Sequence, residues 1–455
     1  MWNAVVEALL VVASARTAAG VTQALPPPPP VDVFISGTEG YPCYRIPAVL
    51  RLPSGTILLF AEGRRGGDTG PNDIVYKAST DTGATWSALK VLHSEWEPPG
   101  HGWHTLSKNA TWNTTHAWAE NDGFFAAGHD WMPPANATFA AAKAKCAGNP
   151  GCIGFSFFDD DPRPTKPVKT YFKAPGARFT PTHGSGQCIH NPCPVVADGR
   201  ALVVFGRNRH QLLVVRALDA EATQWGPVED LTPMLFNATQ ASVTPGPGAG
   251  IAFPTVTGTR LAVALSAPFG AGAGGGAVIS DDHGQTWRLS ARANPKGGEA
   301  QIAVAQNGSL LLDSRGPVQG VRWQSWSHDF GETWTAPLVS DYGFGSSCQG
   351  SVVRNGSTLL FAHPGRIDNK FNRWNISVWR SDDSGASWTT IEQVEQDFNA
   401  TELPHLHTAY SALLPGAPTY TLAYERGPMP GSHIVPSQCG EYATIRWHHG
   451  APRAD

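Results

Sequence analysis

The chain has 455 residues, a formal charge of −4 and 15% charged side chains. That length supports a large core and one to three domains, and the mild acidity leaves no basic footprint for nucleic acid or an anionic membrane. Glycine (49), proline (38) and tryptophan (16) are plentiful, helical periodicity is scarce, and short apolar runs between Gly, Pro, Asn and Asp turns predict an all-β protein.

Residues 1–20 read as a signal peptide: an apolar run ends in Ala13, Ser14 and Ala15, and is too short to span a bilayer. Residues 21–30 close on five prolines and read as a stiff linker. Eight Asn-x-Ser/Thr acceptors, at Asn109, Asn113, Asn136, Asn237, Asn307, Asn355, Asn375 and Asn399, fit passage through the secretory pathway. The expected destination is the exterior or a lysosomal or vacuolar lumen, with no transmembrane span beyond an uncleaved N-terminal segment. Of seven cysteines, Cys146/Cys152 and Cys188/Cys193 are spaced for local disulfides, leaving Cys43, Cys348 and Cys439. His183 and His190 beside the second pair raise a metal site as the alternative, which an oxidising compartment disfavours.

The run "YPCYRIPAVLRLPSGTILLFAEGRR" predicts two strands joined by the turn Pro53-Ser54-Gly55, with Arg45 at the head of a buried-looking strand. A strand-end arginine commonly snorkels to water. The turn "GGDTGPND" follows, carrying Asp68 and Asp73. Within residues 113–175, "ATFAAAKAKCAG" predicts a short helix with Phe139 and alanines inward, and "CIGFSFF" and "TYFK" predict strands. This segment resembles a small apple/PAN-type module; the alternative is an extended loop stapled by Cys146 and Cys152.

Four segments share one pattern: "STDTGATW" (79–86), "SDDHGQTW" (280–287), "SHDFGETW" (327–334) and "SDDSGASW" (381–388). Asp81, Asp282, Asp329 and Asp383 can accept from turn amides, and Gly83, Gly284, Gly331 and Gly385 permit positive φ. Trp86, Trp287, Trp334 and Trp388 anchor each hairpin. The last three copies start 47 and 54 residues apart, a period suited to one propeller blade. The pattern is the Asp box, which builds turns and says little about chemistry.

"YRIP", "FAEGRRGGDTGPND" and the first box resemble the sialidase (neuraminidase) family. So do "GGEAQIAVAQNGSLLLDSRG" (297–316), "CQGSVV", "LLFAHPG…NRWNISVWRSDDSGASW", "HTAYSALL" (407–414) and "LAYERG" (422–427), in family order. The resemblance implies a six-bladed β-propeller over 31–112 and 176–450, interrupted by a small inserted α+β module at 113–175. It implies an arginine triad of Arg45, Arg315 and Arg373, with Arg64 lining the pocket and Glu425 buttressing Arg45. Asp68 would be the acid/base, with Asp73 as competitor, and Tyr410 with Glu299 the nucleophile pair. Arg366 rivals Arg373, and Asn191 stands where some relatives carry Asp near the N-acyl pocket.

Those residue types suit the implied substrate. Planar guanidinium groups grip a carboxylate through charge-assisted bonds, about 1.5–3 kcal/mol each. A neutral phenol attacks an anomeric centre that already bears a carboxylate without like-charge repulsion, but its ordinary pKa near about 10 requires a base. The implied activity is an exo-α-sialidase acting with retention on sialylated glycoproteins, glycolipids or oligosaccharides, with no cofactor and no metal. The alternatives are a trans-sialidase, which passes the sugar to an acceptor, and a catalytically silent sialic-acid-binding propeller.

Overall fold

The computed structural model describes residues 28–451 apart from 66–67, 69, 96–101, 109–117, 123, 126–129, 160–162, 175–178, 181–186, 237–241, 270–271, 317–320, 341–347, 368–369, 395–406 and 428–443. The expected signal peptide, Asn109, Asn113, His183, Asn237, Asn399 and Cys439 fall outside the described residues, as does the side chain of Arg366.

Six antiparallel sheets carry the fold. The first runs Cys43–Arg51, Ile57–Arg64, Asn72–Ser79 and Lys90–His93. The second, third, fourth and fifth begin at Ile189, Thr244, Ala300 and Ser351. The sixth contains Thr408–Gly416, Thr419–Arg426 and Thr444–Gly450, and is completed by Val31–Ile35 from the other end of the chain.

These sheets stack face to face in a cycle. Leu58, Phe60 and Tyr76 of the first pack on Val203, Phe205 and Leu213 of the second. Val204 and Leu212 meet Leu261 and Val263 of the third, whose Ala262 and Ile279 meet Ile302 and Leu312 of the fourth. Leu311 meets Phe361 of the fifth, and Leu360 and Val378 meet Leu413 and Leu422 of the sixth. Ala412, Ala423 and Trp447 then return to Val49, Leu59 and Val75 of the first. This explains the unbroken apolar run "ILLF": Leu58 and Phe60 face one neighbouring sheet, Ile57 and Leu59 the other, so both faces of the strand are core.

The Asp boxes close hairpins between the third and fourth strands of four sheets. In the first, Ser79 Oγ donates to Asp81 Oδ1 (2.8 Å) and accepts from Gly83 N (2.8 Å), while Thr85 N donates to Asp81 Oδ1 (2.9 Å). The other three repeat these bonds. Gly83 is required twice over, because φ is +97° and a Cβ would meet Trp447 Nε1 at 2.1 Å. The second sheet carries a degenerate fifth box. Asp219 accepts from the backbone N–H of Glu221, Thr223 and Gln224 and from Thr223 Oγ1, and Ala222, three residues past it, takes φ +51°.

Between the first and second sheets, the helix Phe139–Ala147 lies on a separate five-stranded sheet. Thr138 caps the helix through Ala141 N, and Ala142 and Cys146 face inward onto Phe155, Phe157 and Phe172. Cys146 and Cys152 are disulfide-bonded. This sheet also takes in Gly102–Lys108, which pairs with Gly154–Asp159, so it recruits chain on the N-terminal side of residue 113.

Two expectations require correction. Cys188 and Cys193 form no disulfide; both are buried thiols, as is Cys348. A register shift between His190 and Cys193 separates them, with Cys188 Sγ at Asp68 O (3.4 Å) and Cys193 in the core between the second and third sheets. Cys43 is disulfide-bonded to a partner outside the described residues. Among the eight glycosylation motifs, Asn355 and Asn375 are buried in the folded chain. The Asn355 amide is consumed by Thr419 O (3.2 Å) and Gly416 N (3.0 Å), whereas Asn136 and Asn307 are exposed.

Candidate active site

The innermost strands tend to break register where they meet the cleft. The shifts fall at Arg45/Ala48, His190/Cys193 and Thr408/Ser411, and Ile46 and Asn191 take φ of +59° and +55°. Such bulges re-aim side chains out of the alternating pattern. They help bring Arg45, Ile46, His190, Asn191 and Tyr410 to one cavity of about 640 Å³, which Arg64, Asp68, Glu299, Arg315 and Arg373 also line.

Arg45 is held hard. Its Nε and Nη2 donate to Glu425 Oε1 (3.0 Å) and Oε2 (2.8 Å), and Glu425 is fully buried. The same carboxylate accepts from Ile46 N (2.8 Å) and Tyr410 N (3.4 Å), tying the sixth sheet to the first. Arg315 Nη1 donates to Glu299 Oε2 at 2.9 Å. Glu299 can stand beside it because Gly298, at φ +121°, has no Cβ; one would lie 2.6 Å from Arg315 O.

Tyr410 Oη donates to Glu299 Oε1, so a single carboxylate bridges Tyr410 and Arg315. The guanidinium carbons of Arg45 and Arg373 sit 5.1 and 5.6 Å from the Tyr410 ring centroid, within cation–π range. Burial pushes the Tyr410 phenol well above its ordinary pKa, with Glu299 and Cys348 adding to the rise and Arg45 and Arg373 opposing it. Burial works against the charge on Arg315, and the neighbouring Glu299 more than compensates.

Asp68 is 67% exposed and its Oδ1 accepts from Arg64 Nη1, with Arg45 Nη1 3.8 Å away. Burial raises its pKa, but Arg64, Arg45 and Arg209 outweigh that and hold the carboxyl below the usual range. Asp73 does not join the site. It is fully buried against Tyr41 Oη (2.6 Å), Ser94 Oγ (2.7 Å) and Arg65, as a strut of the first sheet.

The BNR repeat-like domain matches residues 177–414, more than half of the chain. The chain belongs to the BNR-repeat sialidase family. A sialidase of Micromonospora viridifaciens is 43% identical over 63 residues, covering 13% of this chain and 10% of that protein. Human sialidase-4 is 30% identical over 200 residues, covering 36% and 40%. The chain thus spans less than half the length of these relatives. Among solved structures, a Hadza microbial sialidase superposes with a TM-score of 0.58 at 18% identity, over 93% of this chain and 68% of that one. A Trypanosoma rangeli sialidase captured as a covalent intermediate with 2,3-difluorosialic acid gives 0.57 at 15% identity, over 92% and 58%. At such identities these likenesses establish the sialidase propeller fold.

Several residues that line the cavity are not among those the sequence pointed to. Glu62 is 1% exposed, pairs with Arg64 Nε (2.8 Å), and accepts from Asn191 N (2.9 Å). Its signal was present, because Glu62 and Arg64 alternate onto one face of the Ile57–Arg64 strand. His190, which the sequence raised only as a metal-ligand alternative, lines the cavity too, as do Arg209, Thr244, Ser266 and Lys296, which carried no sequence signal. Together the lining supplies six Arg or Lys side chains against three carboxylates, a field suited to an anion. Among the described residues no group of three or more His, Cys, Asp or Glu is set to hold a metal ion.

Proposed function

We propose that the protein is a retaining exo-α-sialidase that releases terminal sialic acids from glycoproteins, glycolipids or oligosaccharides. The observation that carries this reading is the Tyr410–Glu299 hydrogen bond, set between the guanidinium groups of Arg45, Arg315 and Arg373. A module that only bound sialic acid would need the arginines and not the phenol–carboxylate pair.

In this mechanism the sugar carboxylate docks on Arg45, Arg315 and Arg373, displacing water from the cationic wall. Tyr410 stays neutral until it attacks, because burial holds its proton. As its oxygen bonds to the anomeric carbon the phenol becomes strongly acidic, and Glu299 takes the proton. Asp68 donates a proton to the departing glycosidic oxygen, then deprotonates the water that cleaves the tyrosyl–sugar bond. Asp68 is held ionised in the empty cleft by Arg64 and Arg45. The substrate carboxylate neutralises part of that field and the aglycone excludes water, and both effects raise its pKa toward that of a usable acid.

The Cys146–Cys152 disulfide and the bonded state of Cys43 support an oxidising compartment, in keeping with a secretory route. A fluorogenic α-sialoside tests the activity. Wild type is expected to release the dye, with the α-anomer of free sialic acid appearing first by ¹H NMR. Tyr410→Phe is expected to bind the sugar while turnover falls by at least about 100-fold. Initial appearance of the β-anomer, or binding by wild type without dye release, would overturn the proposal.

A further inference from the structure

Asp68, the residue assigned to acid/base work, lies in the turn between the strands Ile57–Arg64 and Asn72–Ser79, with 67% of its side chain exposed. Among the described residues two hydrogen bonds hold it. Its carboxylate accepts from Arg64 Nη1, and its backbone carbonyl accepts from Cys188 Sγ at 3.4 Å. The first bond is charge-assisted, so it weakens once the carboxyl carries the proton it must deliver. The second involves no charge on Asp68 and survives that change.

The thiol that makes the second bond is itself tightly framed. Cys188 stands one residue before the strand Ile189–Ala197 of the second sheet. Asn208 clasps its backbone from both sides: Cys188 N donates to Asn208 Oδ1 (2.9 Å), and Asn208 N donates to Cys188 O (2.9 Å). Asn72, which opens a strand of the first sheet, bridges to Cys188, and Asn72 N donates to Gln187 O at 3.3 Å. The direction of the side-chain bonds follows from their types. A carbonyl oxygen can only accept, so the S–H points to Asp68 O, and the sulfur lone pairs are left for Asn72 Nδ2 at 3.7 Å. Asn72 and Cys188 are 1% and 6% exposed. Burial pushes the Cys188 thiol up to about 11, so the donor keeps its proton through the neutral and acid range.

We propose that Asn72, Cys188 and Asn208 form an uncharged brace between the first and second sheets, in which Cys188 is a positioning residue that keeps Asp68 aimed at the glycosidic oxygen while its bond to Arg64 is weakened. A thiol is a weak donor, so the brace acts on the alignment of the acid more than on the stability of the fold. Small displacements of a catalytic group are costly in rate even when binding is intact.

The inference rests on the sialidase reading with Asp68 as its acid, and its test separates the three claims. The measurements are kcat/KM on an alkyl and a nitrophenyl α-sialoside, and amide hydrogen exchange over residues 65–72 by mass spectrometry. Cys188→Ala is expected to lower the alkyl-to-nitrophenyl ratio of kcat/KM about 10-fold, because only the alkyl aglycone needs the proton, and to speed exchange over residues 65–72. Cys188→Ser, which keeps a donor, is expected to recover part of both. Loss of folded protein lowers both rate constants alike, so a merely structural defect leaves the ratio unmoved. An unchanged ratio in Cys188→Ala overturns the brace and leaves the hydrolase standing. An unchanged ratio in Asp68→Ala removes the acid, and the brace with it. Hydrolysis of neither substrate by wild type overturns the hydrolase, and exchange then decides whether the brace holds the turn: faster exchange in Cys188→Ala supports it, and exchange identical to wild type overturns it.

Discussion

Replacing Glu425 by glutamine is isosteric and should nevertheless be among the most damaging single changes to the site. Each carboxylate oxygen serves an arginine donor and a backbone donor: Oε1 takes Arg45 Nε (3.0 Å) and Ile46 N (2.8 Å), and Oε2 takes Arg45 Nη2 (2.8 Å) and Tyr410 N (3.4 Å). Whichever position the amide nitrogen takes, it faces two N–H groups and can accept from neither. One charge-assisted bond and one backbone bond are lost, and Arg45, only 8% exposed, loses its buried counter-charge. Removing one partner of a buried ion pair costs about 3–5 kcal/mol, consistent with a lost charge-assisted bond of about 1.5–3 kcal/mol plus the desolvation of an unpaired donor. Urea unfolding followed by tryptophan fluorescence should report a loss of that size for Glu425→Gln, with KM for a sialoside rising because Arg45 is no longer aimed. Arg45→Met combined with Glu425→Gln should be milder than the sum of the two single changes, since no unpaired charge remains. A single-mutant loss below about 1 kcal/mol, or strict additivity in the double mutant, would refute the argument that Glu425 acts as a buried counter-ion.

Three further outcomes are expected. Asp68→Ala should lower kcat/KM for a sugar or alkyl aglycone by about 10²–10⁴-fold and spare kcat/KM for a nitrophenyl aglycone, whose departure needs no proton, while kcat falls on both for want of the base in the second step; equal loss of kcat/KM on both substrates would remove Asp68 from the acid role. The box aspartates have depressed carboxyl pKa values: hydrogen bonds from Thr85 and Ser79 bring Asp81 to about 2, and at Asp282, Asp329 and Asp383 such bonds outweigh the effect of burial. Their stabilisation is full above the unfolded value near about 3.9 and disappears as pH falls toward 2, so Tm should drop across that window, less steeply in Asp329→Asn; a parallel decline in both proteins would contradict the assignment. Gly83→Ala should cost at least about 2 kcal/mol because the methyl must displace Trp447. Gly55→Ala, also at positive φ (+96°) but facing open space, should cost only the backbone strain of about 1 kcal/mol. Similar losses in the two variants, read from urea midpoints, would show that the Trp447 contact is not limiting.

What was legible in the sequence was whatever local chemistry enforces. A box of Ser, Asp, Gly, Thr and Trp closes one kind of hairpin wherever it occurs, because its bonds lie within eight residues. The fifth box is obscured because it has an extra residue between Thr223 and Trp225 and lacks both the serine two residues before the aspartate and the glycine two residues after it, so only Asp219, Thr223 and Trp225 remain of the pattern. Arg45, Glu299, Arg315 and Tyr410 could be named together only through the ordered motifs that resemble the sialidase family; their residue types suit the implied chemistry but do not by themselves select these positions. The separation of Asp68 from Asp73 could not be reasoned from types at all. Both sit in one turn, and only the sheet register places Asp73 opposite Gly63, under Tyr41 and Arg65. Bulges were equally silent: an unbroken strand would alternate His190 and Asn191, and the shift at Cys193 undoes both that alternation and the spacing argument for a Cys188–Cys193 disulfide.

A cluster of arginines in an empty cleft would repel itself, and the structure answers with paired carboxylates. Glu425 holds Arg45, Glu62 holds Arg64, and Glu299 holds Arg315. The first two acids are 0% and 1% exposed and stay in place when an anion arrives, so they fix geometry. Glu299 differs, because it is shared between Arg315 and Tyr410 and keeps 20% of its side chain exposed. On the proposed mechanism, a sugar carboxylate that draws Arg315 toward itself weakens the Arg315–Glu299 contact. Glu299 is then left facing Tyr410 alone, at the moment when Tyr410 must give up its proton. Substrate binding and activation of the nucleophile become one event, and the phenol remains protected in the empty cleft, where an exposed phenolate would serve no purpose. The same logic covers Asp68, whose restraint by Arg64 and Arg45 relaxes as the arginines acquire a new anion. On that mechanism the cleft holds its acid and its base in ionic partnerships with arginines, and the substrate's own charge would release both.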